Sequence, residues 1–132
     1  MRILPVPAGG GTAYGIAMPI LKKPVVLAWT HHARAKMNFY RLSQARVRRV
    51  LQTPARVEEG VAPKTIAMMQ PASLKRSLRG RETWTQEIWV MVQDSPRERK
   101  VISVWRYPGV TKPRSEAATA LLRREYEDFL AH

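Results

Sequence analysis

Between Thr30 and Pro54 the chain reads THHARAKMNFYRLSQARVRRVLQTP. Two histidines, His31 and His32, are followed by Arg34, Lys36, Arg41, Arg46, Arg48 and Arg49, with no acidic residue among them. Histidine titrates near neutrality without help, which makes His32 the candidate general acid or base. A neutral solvated helix face carries charges of both signs, so an unbroken cationic run points instead to phosphate. Lys75, Arg76, Arg79 and Arg81 form a second basic stretch, and Arg106 stands between Trp105 and Tyr107. Tryptophan and tyrosine on a basic sheet can stack nucleobases. Burial in the core is the first expectation for the tryptophans; Trp105 and Tyr107, which share a strand face, are the pair expected to stack if any is exposed.

Hydrophobic periodicity says which elements must hold these residues. Residues 1–24 read as an N-terminal arm, with a short strand at 3–6 and a glycine-rich turn. Residues 25–132 read as one domain. It begins with a β-branched strand at 25–29. Thr30 is placed to cap a helix over 31–40, whose Ala33, Met37 and Tyr40 line one face. Ser43 caps a second helix over 44–52, with Val47, Val50 and Leu51 apolar and Pro54 closing it. Short strands follow at 56–59 and 65–70, then a basic loop over 71–81. The clearest strands are 84–93, with Ile88, Val90 and Val92 on one face and Trp89 and Met91 on the other, and 101–107. In the latter, Ile102, Val104 and Arg106 are expected on one face, and Val101, Ser103 and Trp105 on the other. A short polar loop between them implies an antiparallel hairpin. A C-terminal helix over 115–131 carries Ala118, Leu122, Tyr126 and Phe129. The class is α+β, with two short N-terminal helices and the C-terminal helix packed on one face of a small antiparallel sheet of three or four strands.

Composition limits the partners. The 132 residues carry a formal charge of +13 with a hydrophobic content of 45%. That apolar content supports a folded core rather than disorder, and the charge calls for a polyanionic or acidic partner. Nucleic acid leads, ahead of an anionic membrane surface; an acidic protein that neutralises the chain also fits. There is no cysteine, which excludes disulfide scaffolds and thiolate metal sites. The N-terminal apolar residues are broken by Pro5, Pro7 and Gly9 to Gly11, so neither a signal peptide nor a membrane span is expected there. A cytoplasmic protein is the default. Three histidines, two of them adjacent, make a poor metal site. The segment GGGTAYG follows no convincing strand and lacks the Lys-Ser/Thr of a phosphate-binding loop. No cofactor is expected.

Several of these residues carry a resemblance. His32-Ala33, then Lys36-Met37, then Tyr40-Arg41-Leu42-Ser43, and a helix closing at Pro54 resemble a bacterial and phage pattern of His-Ala, Arg-Met and Arg-Gly-Ile-Ser. That pattern belongs to a small domain family grouped with the RelE and BrnT toxins. KVISVWRY looks like its closing strand, and RREYEDF looks loosely like the BrnT C-terminal helix. The resemblance spans roughly residues 25–107. Two departures stand out: Lys36 replaces arginine and loses its bidentate fork, and Tyr40-Arg41 stands where Arg-Gly is expected.

The resemblance implies a RelE-like microbial ribonuclease fold and a metal-independent endoribonuclease paired with an antitoxin. Such cleavage needs a base for the 2′-hydroxyl, an acid for the leaving oxygen, and cations on the phosphorane. His32 would be the acid or base. Arg34, Lys36, Arg41 and Arg106 would hold the phosphate, Arg106 because the central strands of RelE-like folds carry active-site groups. The competing use of Arg106 is a cross-hairpin pair with Glu87. Partners would be RNA, ribosome-bound mRNA included, and an acidic antitoxin. A second function suits the residues as well: a non-catalytic nucleic-acid-binding component of a ribonucleoprotein or phage particle. The arm and the 75–81 loop favour that reading, as do the two departures from the motif.

Overall fold

A computed structural model describes residues 2–4, 26–59 and 61–132 of the chain. The arm expected over 1–24 otherwise lies outside the described residues. Strands are β1 (Arg2–Leu4), β2 (Val26–Trp29), β3 (Arg56–Glu59), β4 (Thr65–Pro71), β5 (Lys75–Arg76), β6 (Glu82–Thr83), β7 (Glu87–Asp94) and β8 (Glu98–Tyr107). Helices are α1 (His31–Tyr40), α2 (Gln44–Gln52) and α3 (Glu116–Ala131). The architecture is α+β, and among the described residues no helix is long and apolar enough to cross a membrane.

The main sheet has six strands in the order β1-β3-β4-β7-β8-β2. Every neighbouring pair is antiparallel except β2 with β8, where Val26 lies opposite Glu98 and Trp29 opposite Val101. The sheet is therefore wider than the three or four strands expected. It gains an edge from Arg2–Leu4, which pairs with Val57–Glu59, and another from a parallel strand that periodicity alone cannot reveal.

Three caps start the helices. Thr30, Ser43 and Ser115 each accept a hydrogen bond from the backbone N–H three residues on, satisfying a donor that has no partner inside the helix. Thr30 also donates its hydroxyl hydrogen bond to the Val101 carbonyl at 3.1 Å, tying the start of α1 to the middle of β8. Arg41 ends α1 in the left-handed region, with φ +56°, and the Leu42 N–H returns to the Met37 carbonyl at 2.8 Å. The turn between the two helices is thus set by a left-handed residue, Arg41, and a second cap, Ser43, two residues on.

The helices do not share a face. Ala33, Met37, Val47 and Val50 from α1 and α2 pack with Ile88, Val90, Val92, Val101 and Val104. Leu122 of α3 packs with Ala67, Met69, Trp89, Met91, Ile102 and Trp105 on the opposite face. This corrects the expectation of helices on one face. With both faces covered, β7 is buried from Glu87 through Val92, which is why its tryptophan and methionine alternate with valines rather than with polar residues.

The expected facing of β8 also needs correction. The β7–β8 ladder shifts register between Met91, opposite Ser103, and Val92, opposite Val101. Ile102 is the extra residue of a bulge, which sends Val101 to the α1 side and Ile102 to the α3 side. A bulge breaks the two-residue alternation on which the facing was read. Beyond it, Val104 keeps the α1 side and Trp105 the α3 side, as alternation requires.

Residues 71–81, expected as a loop, contain β5, which pairs with β6 as Lys75↔Thr83 and Arg76↔Glu82. The Ala72 N–H to Gln86 carbonyl bond, 2.9 Å, closes the base of this excursion.

Candidate nucleic-acid interface

The end of the sheet where β4 stops, β7 starts and β8 stops gathers cations. Pro71 lies opposite Glu87 and Glu87 opposite Tyr107, with Gln70, Ile88 and Arg106 forming the next row. From β8, Arg106 points to the α1 side, and its Nε donates to the Tyr40 carbonyl at 2.8 Å. From α2, Arg46 donates to Gln70 Oε1 at 2.6 Å and to the Pro71 carbonyl at 3.2 Å. Gln70 is itself fixed, since its amide nitrogen donates to the Arg49 carbonyl and to Thr53.

Arg46, Arg49 and Arg106 crowd one another. Burial holds the Arg46 guanidinium below its ordinary pKa, and the like charges of Arg49 and Arg106 push the same way. Its hydrogen bonds go to neutral oxygens, and among the described residues no carboxylate is paired with Arg41, Arg46, Arg49 or Arg106. Positioned donors with uncompensated positive charge are the ingredients of an anion site. Arg41, exposed, lies next to Tyr40 in the left-handed turn.

The β5–β6 hairpin projects from the same end of the sheet. Lys75, Arg76, Arg79 and Arg81 are all exposed, and among the described residues only Arg76 pairs with an acid, Glu82 at 3.3 Å. The turn is ordered by hydrogen bonds from Ser77 N–H to the Arg81 carbonyl and from Gly80 N–H to the Ser77 carbonyl. Gly80 sits at φ +80°, a conformation that glycine adopts without strain.

The remaining expected site residues lie elsewhere. His32 and Lys36, at i and i+4, face α3. Lys36 is held by buried Glu125, Nζ to Oε1 2.9 Å, and Glu125 also accepts from Ser103 Oγ at 3.0 Å. The His32 ring lies 6.1 Å from Phe129 and 5.8 Å from His132, and its Nε2 is buried without a partner among the described residues. Burial lowers the His32 pKa, helped by Lys36 and His132 and opposed by Glu125 and Asp128. Eight residues of helix separate His32 from Tyr40, whose carbonyl anchors Arg106, so the two stand about 12 Å apart along α1. The expected trio of His32, Lys36 and Arg106 does not converge on one phosphate. Arg34 is exposed on α1, and Arg48 lies over the Trp29 ring at 5.7 Å.

One assignment and one competing use are corrected outright. Trp105 is 1% exposed and stacks on Trp89, ring centroids 5.9 Å apart and nearly parallel, so it cannot meet a base. Glu87 does not pair with Arg106. It faces the α3 side and accepts from Trp84 Nε1, Trp89 Nε1 and both the N–H and hydroxyl of Thr111. Tyr107 is half-buried against the same core.

The aromatic ring that the basic end does expose is Phe39, at 76%. It lies two residues beyond Met37, and so about 200° around the helix from a core position. The periodicity that placed Ala33 and Met37 inside also placed Phe39 outside. The chain matches no family model, no curated protein and no solved structure.

Proposed function

We propose that this chain is a RelE/BrnT-like domain that binds RNA through the basic end of its sheet, with Arg41, Arg46, Arg49 and Arg106 and the β5–β6 hairpin on the phosphates. The observation that carries the reading is the crowding of Arg46, Arg49 and Arg106, with Arg46 held by neutral oxygens and no carboxylate paired to any of the three among the described residues. A bound phosphate relieves that repulsion.

Support for the family comes from the turn at Tyr40–Ser43. Arg41, in the left-handed region, falls where the resembling pattern has glycine, the residue that takes this conformation most readily. Leu42, at the isoleucine position, is buried, and Ser43 caps α2. Ala33, at the alanine position, is fully buried. The shared letters of the motif are thus largely the requirements of one helix–turn–helix, and the fold they serve suits this chain.

The experiment is RNA binding over a range of salt, followed by cleavage in EDTA. For single strands, log K falls with log salt by about 0.7 per phosphate neutralised. Replacing Arg46 and Arg106 together by glutamine should flatten that slope by about 1.4, and a salt-independent affinity would end the reading. A second reading is metal-independent cleavage, for which His32 is kept toward its neutral form by burial and its Nε2 has no partner among the described residues. It requires that His32→Ala abolish cleavage while leaving the salt slope unchanged.

A further inference from the structure

The RNA reading leaves open what kind of RNA, and Phe39 bears on that. Its side chain is 76% exposed at the last turn of α1. The ring meets the Tyr40 ring edge to face, centroids 4.8 Å apart at 85°. Tyr40 packs against both halves of the core, so the support for Phe39 is rigid. The next residue in sequence is the exposed Arg41, and the Tyr40 carbonyl fixes Arg106 at 2.8 Å. Beyond that bond, the Arg106 guanidinium has no partner among the described residues, and its neighbour Arg46 already repels it. One exposed aromatic ring therefore stands at the C-terminal end of α1, two residues before Arg41 and one before the carbonyl that anchors Arg106.

That combination discriminates between nucleic acids. A duplex offers phosphates, but its bases are already stacked on one another. A single strand offers a phosphate and an unstacked base together, and base-on-aromatic stacking tolerates any sequence because every base has a flat face. An exposed phenylalanine gains nothing from a groove lined by phosphate and loses nothing when a base covers it. The hairpin tip, with Leu78 fully exposed, has no aromatic ring to stack.

Resting on the RNA reading, we propose that Phe39 is the stacking platform of a single-stranded RNA site, its neighbouring phosphates taken by Arg41 and Arg106. The probes are a fluorescein-labelled single-stranded RNA of mixed sequence and its blunt duplex, titrated by anisotropy with wild type, Phe39→Ala and Phe39→Trp. Phe39→Ala should weaken the single strand by roughly 5- to 150-fold. It should leave both the salt slope and the duplex affinity at wild-type values. Phe39→Trp should bind the single strand at least as tightly as wild type. Equal losses on both probes, or none on the single strand, overturn the proposal while leaving a salt-dependent RNA binder standing. Absence of salt-dependent binding to either probe overturns the RNA reading and this one together. Phe39 is exposed and belongs to neither core cluster, so a urea midpoint within error of wild type shows that Phe39→Ala has not acted through folding.

Discussion

Two polar residues decide more at the single-residue scale than any cation. Thr111 accepts from Arg56, which is also held by Glu58 at 2.6 Å, and donates to Glu87. It thereby joins three buried charges and pins the segment before α3 to the sheet. Thr111→Val keeps the shape, strands a guanidinium N–H of Arg56 and removes one of the two hydrogen bonds to Glu87 Oε1, leaving that from Trp89. The expected loss is about 1–3 kcal/mol, read as a lower urea midpoint at unchanged m-value; an unaltered midpoint would show that the network contributes nothing. His32 has a folded pKa below its ordinary 6.5. The unfolded chain therefore takes up the proton first, so folding stability is full above the ordinary histidine value and lost as pH falls through it. Urea midpoints should decline between pH 7.5 and 5.5, and less so in His32→Asn; parallel declines would remove His32 as the cause. Neither role was legible in the sequence. Glu58, Glu87 and Glu125 look there like ordinary surface acids, and only tertiary packing buries them. Phe39 was legible and passed over, because the tryptophans drew the stacking assignment.

Among the elements, capping explains why some boundaries could be read and others could not. Thr30 and Ser43 mark their helices to the residue, since a hydroxyl before an amphipathic run has one job in that place. The strands were legible in position and illegible in partner. Nothing in Val26–Trp29 says that it lies parallel to β8, and nothing in KVISVWRY announces the bulge at Ile102. The β5–β6 hairpin passed for a loop because two-residue strands leave no alternation to detect. It is also the element most easily removed. Replacing residues 74–83 by a Gly-Ser-Gly turn keeps Trp84 and the Ala72–Gln86 closure, and should leave the thermal midpoint within a few degrees. It should flatten the RNA salt slope by about 2, the contribution of three phosphate contacts. A slope equal to wild type would show that the hairpin's four cations meet no phosphate, and the exposed Leu74 and Leu78 would then be its working residues.

For the molecule as a whole, charge is sorted as well as unbalanced. No acidic residue occurs before Glu58, and three of the ten acids, Glu58, Glu87 and Glu125, are buried. Those three acids serve the interior, and the exterior is left basic by more than the composition suggests. The broad class and the basic character were legible because they are sums over the chain. The site was not, because it depends on which ends of which strands coincide. The parallel pairing of β2 with β8 carries one more consequence. Val26 finds its partner 72 residues later, at Glu98, and α1 seats on that same late strand through Ala33 and Met37 against Val101 and Val104. During synthesis, a nascent chain that has reached residue 97 has made α1 but not the strand it sits on. Its helix faces stay uncovered and its cations unsorted until the hairpin of β7 and β8 is complete. Folding must wait for the carboxyl-terminal third, and a chain interrupted before β8 has no native structure to fall back on.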